Sequence, residues 1–235
     1  MIIAAKTLAV KRHFDAVARR YDLMNTILSF GLHHLWKRRT ISLLGLKPGQ
    51  RVLDLCGGTG DLARLAAAQV GPDGMVLVYD LNRAMMTVGR PKAARRGLTD
   101  RISWVKGDAH CLALKDACLD AVVVGFGVRN LAQLEVGLGE MRRVLKPGGR
   151  LAVLEFSRPT PPLFRRLYDL YSFLLMPRLG QLLAGSREAY TYLITSIREF
   201  PLPDTLSKRI LEAGFASVTY QPLTHGIAVI HLARA

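Results

Sequence analysis

Several polar residues that could bind a ligand follow directly after short apolar segments in the middle of the chain. The first group is a glycine-rich loop, DLCGGTGD at 54–61, in which Gly58, Gly60 and Ala63 fit the G-x-G-x-x-A pattern of a dinucleotide-binding turn. Glycines let the backbone approach a ligand closely, and the N-terminus of a following helix favours anionic groups. The loop therefore predicts a site for a nucleotide-like ligand.

Two carboxylates after the next apolar segments narrow the choice of ligand. Asp80 lies 20 residues beyond Gly60 and can accept hydrogen bonds from both hydroxyls of a ribose, which suits either NAD or S-adenosylmethionine. Asp108 offers an acceptor to the exocyclic amine of adenine. The alternative is that each aspartate only caps a helix. That would account for either residue alone, but not for the placement of both directly after neighbouring strands. The pair is typical of class I methyltransferases and predicts S-adenosylmethionine as the cofactor.

The loop GFGVRN at 125–130 follows the fourth apolar segment and predicts where a methyl acceptor lies. Gly125 makes room beside the sulfonium of the cofactor, and Arg129 and Asn130 supply donors that could stabilise a developing oxyanion. Methyltransferases that act on amino nitrogens of bases often carry Asp/Asn-Pro-Pro-Tyr at this place, and this chain does not. The alternative is that Arg129 pairs with a structural carboxylate, and the sequence leaves both interpretations open.

These groups need a parallel sheet that brings the strand ends to one edge. Nearly continuous apolar segments predict strands at 51–55, 75–80, 102–106, 119–125 and 150–156. Helical patterns lie between them at 62–70, 84–94 and 134–145. Strands that are apolar on both faces and alternate with helices indicate an α/β sheet covered on both sides, whose ligands bind beyond the carboxyl ends of the strands. The expected fold is the Rossmann-like fold of class I methyltransferases.

We expect one domain, 1–235, that divides into four segments. They are an N-terminal helical segment, the cofactor-binding core, a helical insertion that forms a lid, and a C-terminal helix with a hairpin: 1–45, 46–159, 160–199 and 200–235. Turn residues at 224–226 predict that the hairpin joins strands Ser217–Leu223 and Ile227–Ala233.

Charge and composition limit the partners. The 235 residues carry a net charge of +15, with basic residues concentrated in 1–40 and 83–106. Such a field attracts nucleic acid or an anionic membrane surface, or it only keeps an apolar protein in solution. No stretch approaches the ~18 apolar residues of a membrane-spanning helix, and three cysteines without CxxC spacing fit a reducing cytoplasm. A cytoplasmic protein with peripheral membrane contact is expected.

A series of motifs along the chain carries a family resemblance. They are YDLMNTILSFGLHHLWK at 21–37, GGTGD at 57–61, YDLN at 79–82, GDA at 107–109, FGVRN at 126–130, RVLKPGGRL at 143–151, LEFSRP at 154–159, YSF at 171–173, SIREFP at 196–201, AGF at 213–215 and LTHGIAVIH at 223–231. In this order they closely resemble the ubiquinone/menaquinone biosynthesis C-methyltransferases (UbiE/MenG type) over nearly the whole chain. The chain departs from the usual family pattern at Gly125, Ala189 and Thr195, where Ser, Ser and Glu are common.

The resemblance implies methylation of a ring carbon on a polyprenylated quinol, with S-adenosylmethionine as donor. It also implies that Thr59, Asp80, Asp108 and Ala109 bind the cofactor. A ring carbon becomes nucleophilic when the neighbouring hydroxyl loses its proton, so the enzyme must stabilise a phenolate. This chemistry needs no metal ion, and no metal site is expected.

Four residues are our candidates around the acceptor. Arg129 and Asn130 are the candidates for phenolate stabilisation. Tyr21 and Tyr190 are expected to orient the acceptor, although helical tyrosines are more often packing residues.

The insertion carries apolar residues at helical spacing. They are Leu163, Phe164, Leu167, Leu170, Tyr171 and Leu174. We expect this face both to pack on the sheet and to line a channel for an isoprenoid tail.

Two other functions stay open at this point. A basic RNA methyltransferase of the same fold fits the charge but not the missing Asp/Asn-Pro-Pro-Tyr motif or the apolar insertion. A nucleotide-binding regulatory module without catalysis would bind the cofactor and transfer nothing. The preferred interpretation needs no nucleic-acid partner. The sequence does not distinguish a naphthoquinol from a benzoquinol, and it leaves a homo-oligomer open.

Overall fold

The computed structural model describes residues 2–235, with side chains at all of these positions except 2–7, 9 and 184. Its strands form a seven-stranded sheet in the order β3-β2-β1-β4-β5-β7-β6. In chain order, β1 to β7 are Arg51–Leu55, Met75–Asp80, Ile102–Lys106, Leu119–Gly125, Leu145–Phe156, Ser217–Leu223 and Ala228–Arg234. Strands β1 to β5 run parallel, whereas β7 is antiparallel to both β5 and β6.

Helices cover both faces of the sheet, and further helices make up the N-terminal segment and the insertion. In chain order, α1 to α10 are Ile2–Val17, Tyr21–Leu28, Leu32–Leu44, Asp61–Val70, Arg83–Ala94, Leu134–Val144, Pro162–Leu170, Met176–Leu179, Arg187–Glu199 and Pro203–Glu212. Two π-helical turns, Tyr171–Leu175 and Gly180–Ala184, flank α8. None of the described helices is both long and apolar enough to cross a bilayer.

The predicted strands are confirmed, with different bounds for β5 and β7, the latter ending at Arg234 instead of Ala233. Strand β5 begins at Leu145 instead of residue 150, because Leu119 pairs with Leu145 while Ala121 pairs with Arg150, so that the intervening residues of β5 bulge out. Strand β7 begins one residue late, because Ile227 has helical φ and ψ at the end of the turn that precedes it.

Alternate residues of strands β1, β2 and β4 enter different cores. Leu53 and Leu55 of β1 pack with α6 and α10, whereas Val52 packs with α3 and α4 on the other face. Each such fully buried aliphatic side chain contributes about 2 kcal/mol. Asp54 lies on the same face as Val52, buried at the carboxyl end of the central strand.

The insertion packs against the N-terminal helices, and the expectation that its apolar face packs on the sheet is wrong for α7. Val17, Met24 and Leu28 of α1 and α2 form a core with Tyr190 and Ile194 of α9. On α7 the residues at that face are exposed: Leu163 by 71%, Leu167 by 57% and Leu170 by 58%. A helical period identifies an apolar face, but it does not identify what covers that face.

Candidate active site

Two adjoining cavities open at the carboxyl edge of the sheet. The first, of about 130 Å³, is lined by the loops after β1, β2, β3 and β4. The second, of about 440 Å³, is lined mainly by apolar side chains of the N-terminal helices and the insertion. Phe14, Tyr21 and Phe126 line both cavities, so the two cavities meet at these three side chains.

Most of the predicted cofactor residues line the first cavity. They are Gly58, Thr59, Asp80, Asp108, Ala109 and Gly125, together with Asn130 and Tyr21 from the predicted catalytic and substrate sets. Arg129 and Tyr190 line the second cavity. Gly60 lines neither cavity.

Packing requires a glycine at position 60 and restricts position 125 less strictly. A Cβ atom at Gly60 would lie 2.6 Å from the Trp104 ring, and one at Gly125 would lie 2.6 Å from Leu62 Cδ1. Gly60 also has φ +71°, a left-handed conformation that glycine adopts without strain. Gly125 reaches the first cavity, and a small side chain there would require the end of the Leu62 side chain, on α4, to move.

Asp80 is held in place by the glycine loop. The backbone N–H of Gly58 donates to its Oδ2 at 2.8 Å, and that of Asn82 donates to its Oδ1 at 2.6 Å. Burial raises the pKa of the carboxyl group, and these two hydrogen bonds partly offset the effect. An ionised carboxylate has about four lone-pair sites, so Asp80 can still accept bonds from two ligand hydroxyls.

Asp108 lies at the more open end of the first cavity. Both the backbone N–H of His110 and its Nδ1 bind Oδ1 of Asp108, at 2.9 and 2.6 Å. Because the N–H of Gln133 donates to Nε2 of His110, the neutral ring carries its proton on Nδ1 and donates it to Asp108. Partial burial would raise the pKa of Asp108, but the hydrogen bonds from His110 lower it.

The surroundings of Asp54 show whether the first cavity suits S-adenosylmethionine. Its side chain is 1% exposed; Oδ2 accepts a hydrogen bond from the N–H of Ala63 at 2.8 Å, and Oδ1 has no partner among the described residues. Burial raises its pKa to about 7, although the bond from Ala63 opposes the shift. A buried carboxylate oxygen without a partner calls for a cation or a donor, and the α-ammonium of S-adenosylmethionine is one. The residues present therefore fit this cofactor.

We expect the affinity for S-adenosylmethionine to fall by about tenfold per unit as pH decreases below about 7. A cation beside Asp54 favours its ionised form and lowers its pKa, so binding near neutral pH releases a proton. Calorimetry in buffers of different ionisation enthalpy measures that proton. Asp54→Asn should abolish both the release and the pH dependence, and a release that persists in this variant would assign it to another group.

The N-terminal helices are tied to the glycine loop by polar contacts that the sequence analysis did not identify. Thr59 Oγ1 donates to Oδ1 of Asp22 at 2.9 Å, and Lys92 forms an ion pair with the same carboxylate. Lys37 Nζ lies 2.6 Å from Oδ2 of Asp61, the first residue of α4. The Thr59 hydroxyl is thus used within the protein, and its carbonyl accepts a hydrogen bond from Arg64 Nη1 at 2.8 Å.

Arg129 forms the structural ion pair that the sequence left as an alternative. Its Nη1 lies 2.8 Å from Oε1 of Glu155, and the two side chains are 4% and 2% exposed. Nη1 also donates to the carbonyl of Phe126 at 2.5 Å, where φ is +58°. A non-glycine residue in this region is strained, and such strain often marks functional sites. The Arg129 Nε atom is buried and has no partner among the described residues.

Asn130 is oriented by a residue of the insertion. The hydroxyl of Tyr192, on α9, donates to Oδ1 of Asn130 at 3.0 Å, and the ring of His13 stacks on Tyr192 at 5.0 Å. Tyr190 is 6% exposed and packs in the core between the insertion and the N-terminal helices. Glu155 and Tyr192 lie in the motif LEFSRP and near SIREFP, so the family motifs were the signal that could have identified them.

The fold and the first cavity together define a class I S-adenosylmethionine-dependent methyltransferase. The structure resembles a methyltransferase of Aquifex aeolicus (TM-score 0.59, 19% identity, 84% of this chain and 88% of that one). It also resembles one of Thermotoga maritima described as a possible histamine N-methyltransferase (TM-score 0.65, 17% identity, 96% and 99%). These likenesses confirm the predicted fold.

Residues 2–235 match the ubiE/COQ5 methyltransferase family, and the chain belongs to that family. A ubiquinone/menaquinone biosynthesis C-methyltransferase of Ectopseudomonas mendocina is 49% identical over 93% of this chain and 85% of its own length. The corresponding protein of Pseudomonas putida is 47% identical over 96% and 88%. The predicted enzyme class and cofactor are therefore confirmed, and the RNA-methyltransferase alternative is not favoured.

Proposed function

We propose that this enzyme methylates a ring carbon of a polyprenylated quinol. The main support is the second cavity, which is predominantly apolar and has a volume of about 440 Å³. It adjoins the first cavity at Phe14, Tyr21 and Phe126. A hydrophobic ring with an isoprenoid tail matches such a lining. The names of the relatives, which describe quinone-pathway C-methyltransferases, support the same acceptor.

Arg129 supplies the charge that this reaction needs on the acceptor side. S-adenosylmethionine supplies the electrophilic methyl group, and the ring carbon attacks when the adjacent hydroxyl is deprotonated. The buried Nε–H of Arg129, which lacks a protein acceptor among the described residues, is available to the phenolate oxygen. Glu155 and the Phe126 carbonyl hold the guanidinium through Nη1. Asn130, fixed by Tyr192, lies at the first cavity and orients the acceptor beside the methyl donor.

A methyl-transfer assay with labelled S-adenosylmethionine tests the acceptor class. Short-tailed demethylated naphthoquinol, the corresponding benzoquinol and bulk RNA are offered in parallel under reducing conditions. Label in the quinol of either ring type, at the ring carbon, supports the proposal and identifies the ring. Label in RNA alone would overturn it, and cofactor binding without transfer to any acceptor would favour the regulatory module.

Peripheral contact with an anionic membrane is part of this proposal, because a polyprenylated acceptor partitions into the bilayer. Phe30 is 80% exposed and Leu167 is 57% exposed, and both also line the second cavity. The exposed apolar face of α7, with Leu163 and Leu170, continues from this rim. An apolar rim beside a basic surface matches an anionic leaflet, which attracts nearby basic residues by up to about 1 kcal/mol each at low salt.

Replacing four exposed arginines of the N-terminal helices by Gln should weaken binding to anionic vesicles and leave S-adenosylmethionine affinity unchanged. They are Arg12, Arg19, Arg38 and Arg39. A matched control removes the same charge from α5 and the residues after it, which are also exposed: Arg83, Arg90, Arg95 and Arg96.

Vesicle sedimentation at low and high salt provides the measurement. We expect binding of the unsubstituted protein to anionic lipid, reversed by salt, and little binding to neutral lipid. The α5 control should bind more strongly than the N-terminal variant. Equal binding to neutral and anionic vesicles, or none to either, would contradict electrostatic docking.

A further inference from the structure

Buried polar atoms without a partner concentrate at the two cavities. Among the described residues, buried side-chain atoms in this state are His33 Nδ1, Asp54 Oδ1, Arg129 Nε, Ser207 Oγ and His231 Nδ1. Asp54 lines the cofactor cavity, and His33 and Arg129 both line the second cavity. Leaving such atoms unpaired is costly in a folded protein. A ligand that pairs with both atoms of the second cavity would remove that cost.

The hydrogen bonds of Thr26 determine which nitrogen of His33 carries the proton. The single hydroxyl proton of Thr26 goes to the carbonyl of Asp22, at 2.8 Å. With its proton used, the Thr26 oxygen can only accept, from Nε2 of His33 at 3.1 Å and from Nε2 of His34 at 3.3 Å. A neutral His33 therefore carries its proton on Nε2, and Nδ1 is a bare acceptor.

His33 stays neutral at physiological pH. It is 2% exposed, and burial lowers its pKa to about 4, with the positive charge of Lys37 and the neighbouring ring of His34 adding to the effect; Asp61 opposes it. The residues that line the second cavity thus include a neutral imidazole on α3 and the cationic guanidinium of Arg129 after β4.

An aromatic surface connects these two groups. Trp36 lies one turn after His33 on α3, and its ring centroid is 6.3 Å from those of both Phe126 and Phe156. Phe126 and Phe156 stack at 4.3 Å, and the guanidinium carbon of Arg129 lies 5.4 Å from the Phe156 centroid. A flat ring can pack on this surface with polar substituents directed toward both groups.

We propose that His33 Nδ1 accepts a hydrogen bond from the second hydroxyl of the quinol and thereby selects the reduced acceptor over the quinone. This inference rests on the proposed quinol substrate. A 1,4-quinol has one oxygen next to the methylated carbon, for Arg129, and a second oxygen across the ring. As a hydroxyl the second oxygen donates to Nδ1. As a quinone carbonyl it places a lone pair against the lone pair of Nδ1 and leaves both unpaired. The quinone also lacks the nucleophilic carbon, so its exclusion keeps an unreactive molecule out of the site.

Binding of three probes tests the role of His33 without turnover. They are a short-tailed 1,4-quinol, its mono-methyl ether at the hydroxyl remote from the acceptor carbon, and the 1,4-quinone, measured anaerobically by calorimetry. We expect the unsubstituted protein to prefer the quinol over both others by about five- to hundredfold, since each leaves a buried acceptor unpaired. In His33→Phe the ratio of the affinity for the quinol to that for either other probe should be close to one. His33→Asn, whose Oδ1 replaces an acceptor near Nδ1, should restore part of it.

His34→Phe removes the exposed neighbouring imidazole, whose ring lies 3.9 Å from that of His33 and whose Nε2 lies 3.3 Å from the same Thr26 oxygen. It leaves the bond between His33 Nε2 and Thr26 in place, and it should keep the preference for the quinol. A preference near one in the unsubstituted protein would overturn the inference, whether or not any variant folds, and so would an unchanged preference in a folded His33→Phe. The proposed function fails separately. Preference in binding with no methyl transfer to any quinol would contradict that function and leave the role of His33 standing. Equal methylation of the quinol and the ether would support the proposed function and contradict the role of His33.

Discussion

Arg129→Leu should reduce the rate of methyl transfer by about 10²- to 10³-fold and leave the affinity for S-adenosylmethionine nearly unchanged. The expected loss is that of one preorganised donor to a developing oxyanion. The donor acts on charge that is largest in the transition state, so its loss appears in kcat and not in cofactor binding. Single-turnover kinetics with saturating cofactor, together with calorimetry of cofactor binding, measure the two quantities.

Because Glu155 is buried beside Arg129, this experiment needs a second substitution that removes the charge of Glu155. Arg129→Leu alone leaves the Glu155 carboxylate uncompensated at 2% exposure, and breaking such a pair destabilises a fold by roughly 3–5 kcal/mol. The informative comparison is Arg129→Leu with Glu155→Gln against Glu155→Gln alone, with unfolding by denaturant as the stability check. If cofactor affinity falls as much as the rate, Arg129 is a structural residue or a cofactor ligand, and its role in phenolate stabilisation is refuted.

Asp80→Ala should weaken S-adenosylmethionine binding about a hundredfold. The substitution removes two hydrogen bonds from a charged acceptor to the ribose hydroxyls, worth roughly 3 kcal/mol together. It also releases the N–H groups of Gly58 and Asn82, which Asp80 now accepts at 2.8 and 2.6 Å. Calorimetry at one pH above 7.5 gives the affinity without interference from Asp54.

Two further variants separate the ligand contact from a loss of loop structure. Asp80→Asn keeps the shape and one acceptor oxygen, and we expect an affinity between those of the alanine variant and the unsubstituted protein. Asp100→Ala removes the same charge at an exposed position on the loop before β3 and should have no effect. Unchanged affinity in Asp80→Ala would remove Asp80 from the site.

The parallel core and its binding edge follow from local features of the sequence. Strands β1 to β4 have the predicted bounds because each is a short, mostly apolar run, and strands that are buried on both faces of a parallel sheet require such runs. Since parallel strands end at one edge, the order of the chain alone places Asp80, Asp108 and Arg129 at the same edge of the sheet. The grouping of the candidate cofactor residues at this edge was predictable for this reason.

The contacts between distant segments depended on the tertiary structure. Arg129 and Glu155 are 26 residues apart and meet because β4 lies beside β5, where Gly125 pairs with Leu154. His33 lines the second cavity only because α3 packs over the sheet and the insertion packs against α2. No local pattern encodes such pairings, since periodicity determines which face of an element is apolar but not which neighbour that face meets. The acceptor side of the site was therefore decided by packing between segments, whereas the cofactor side was already determined by residues next to each strand in the sequence.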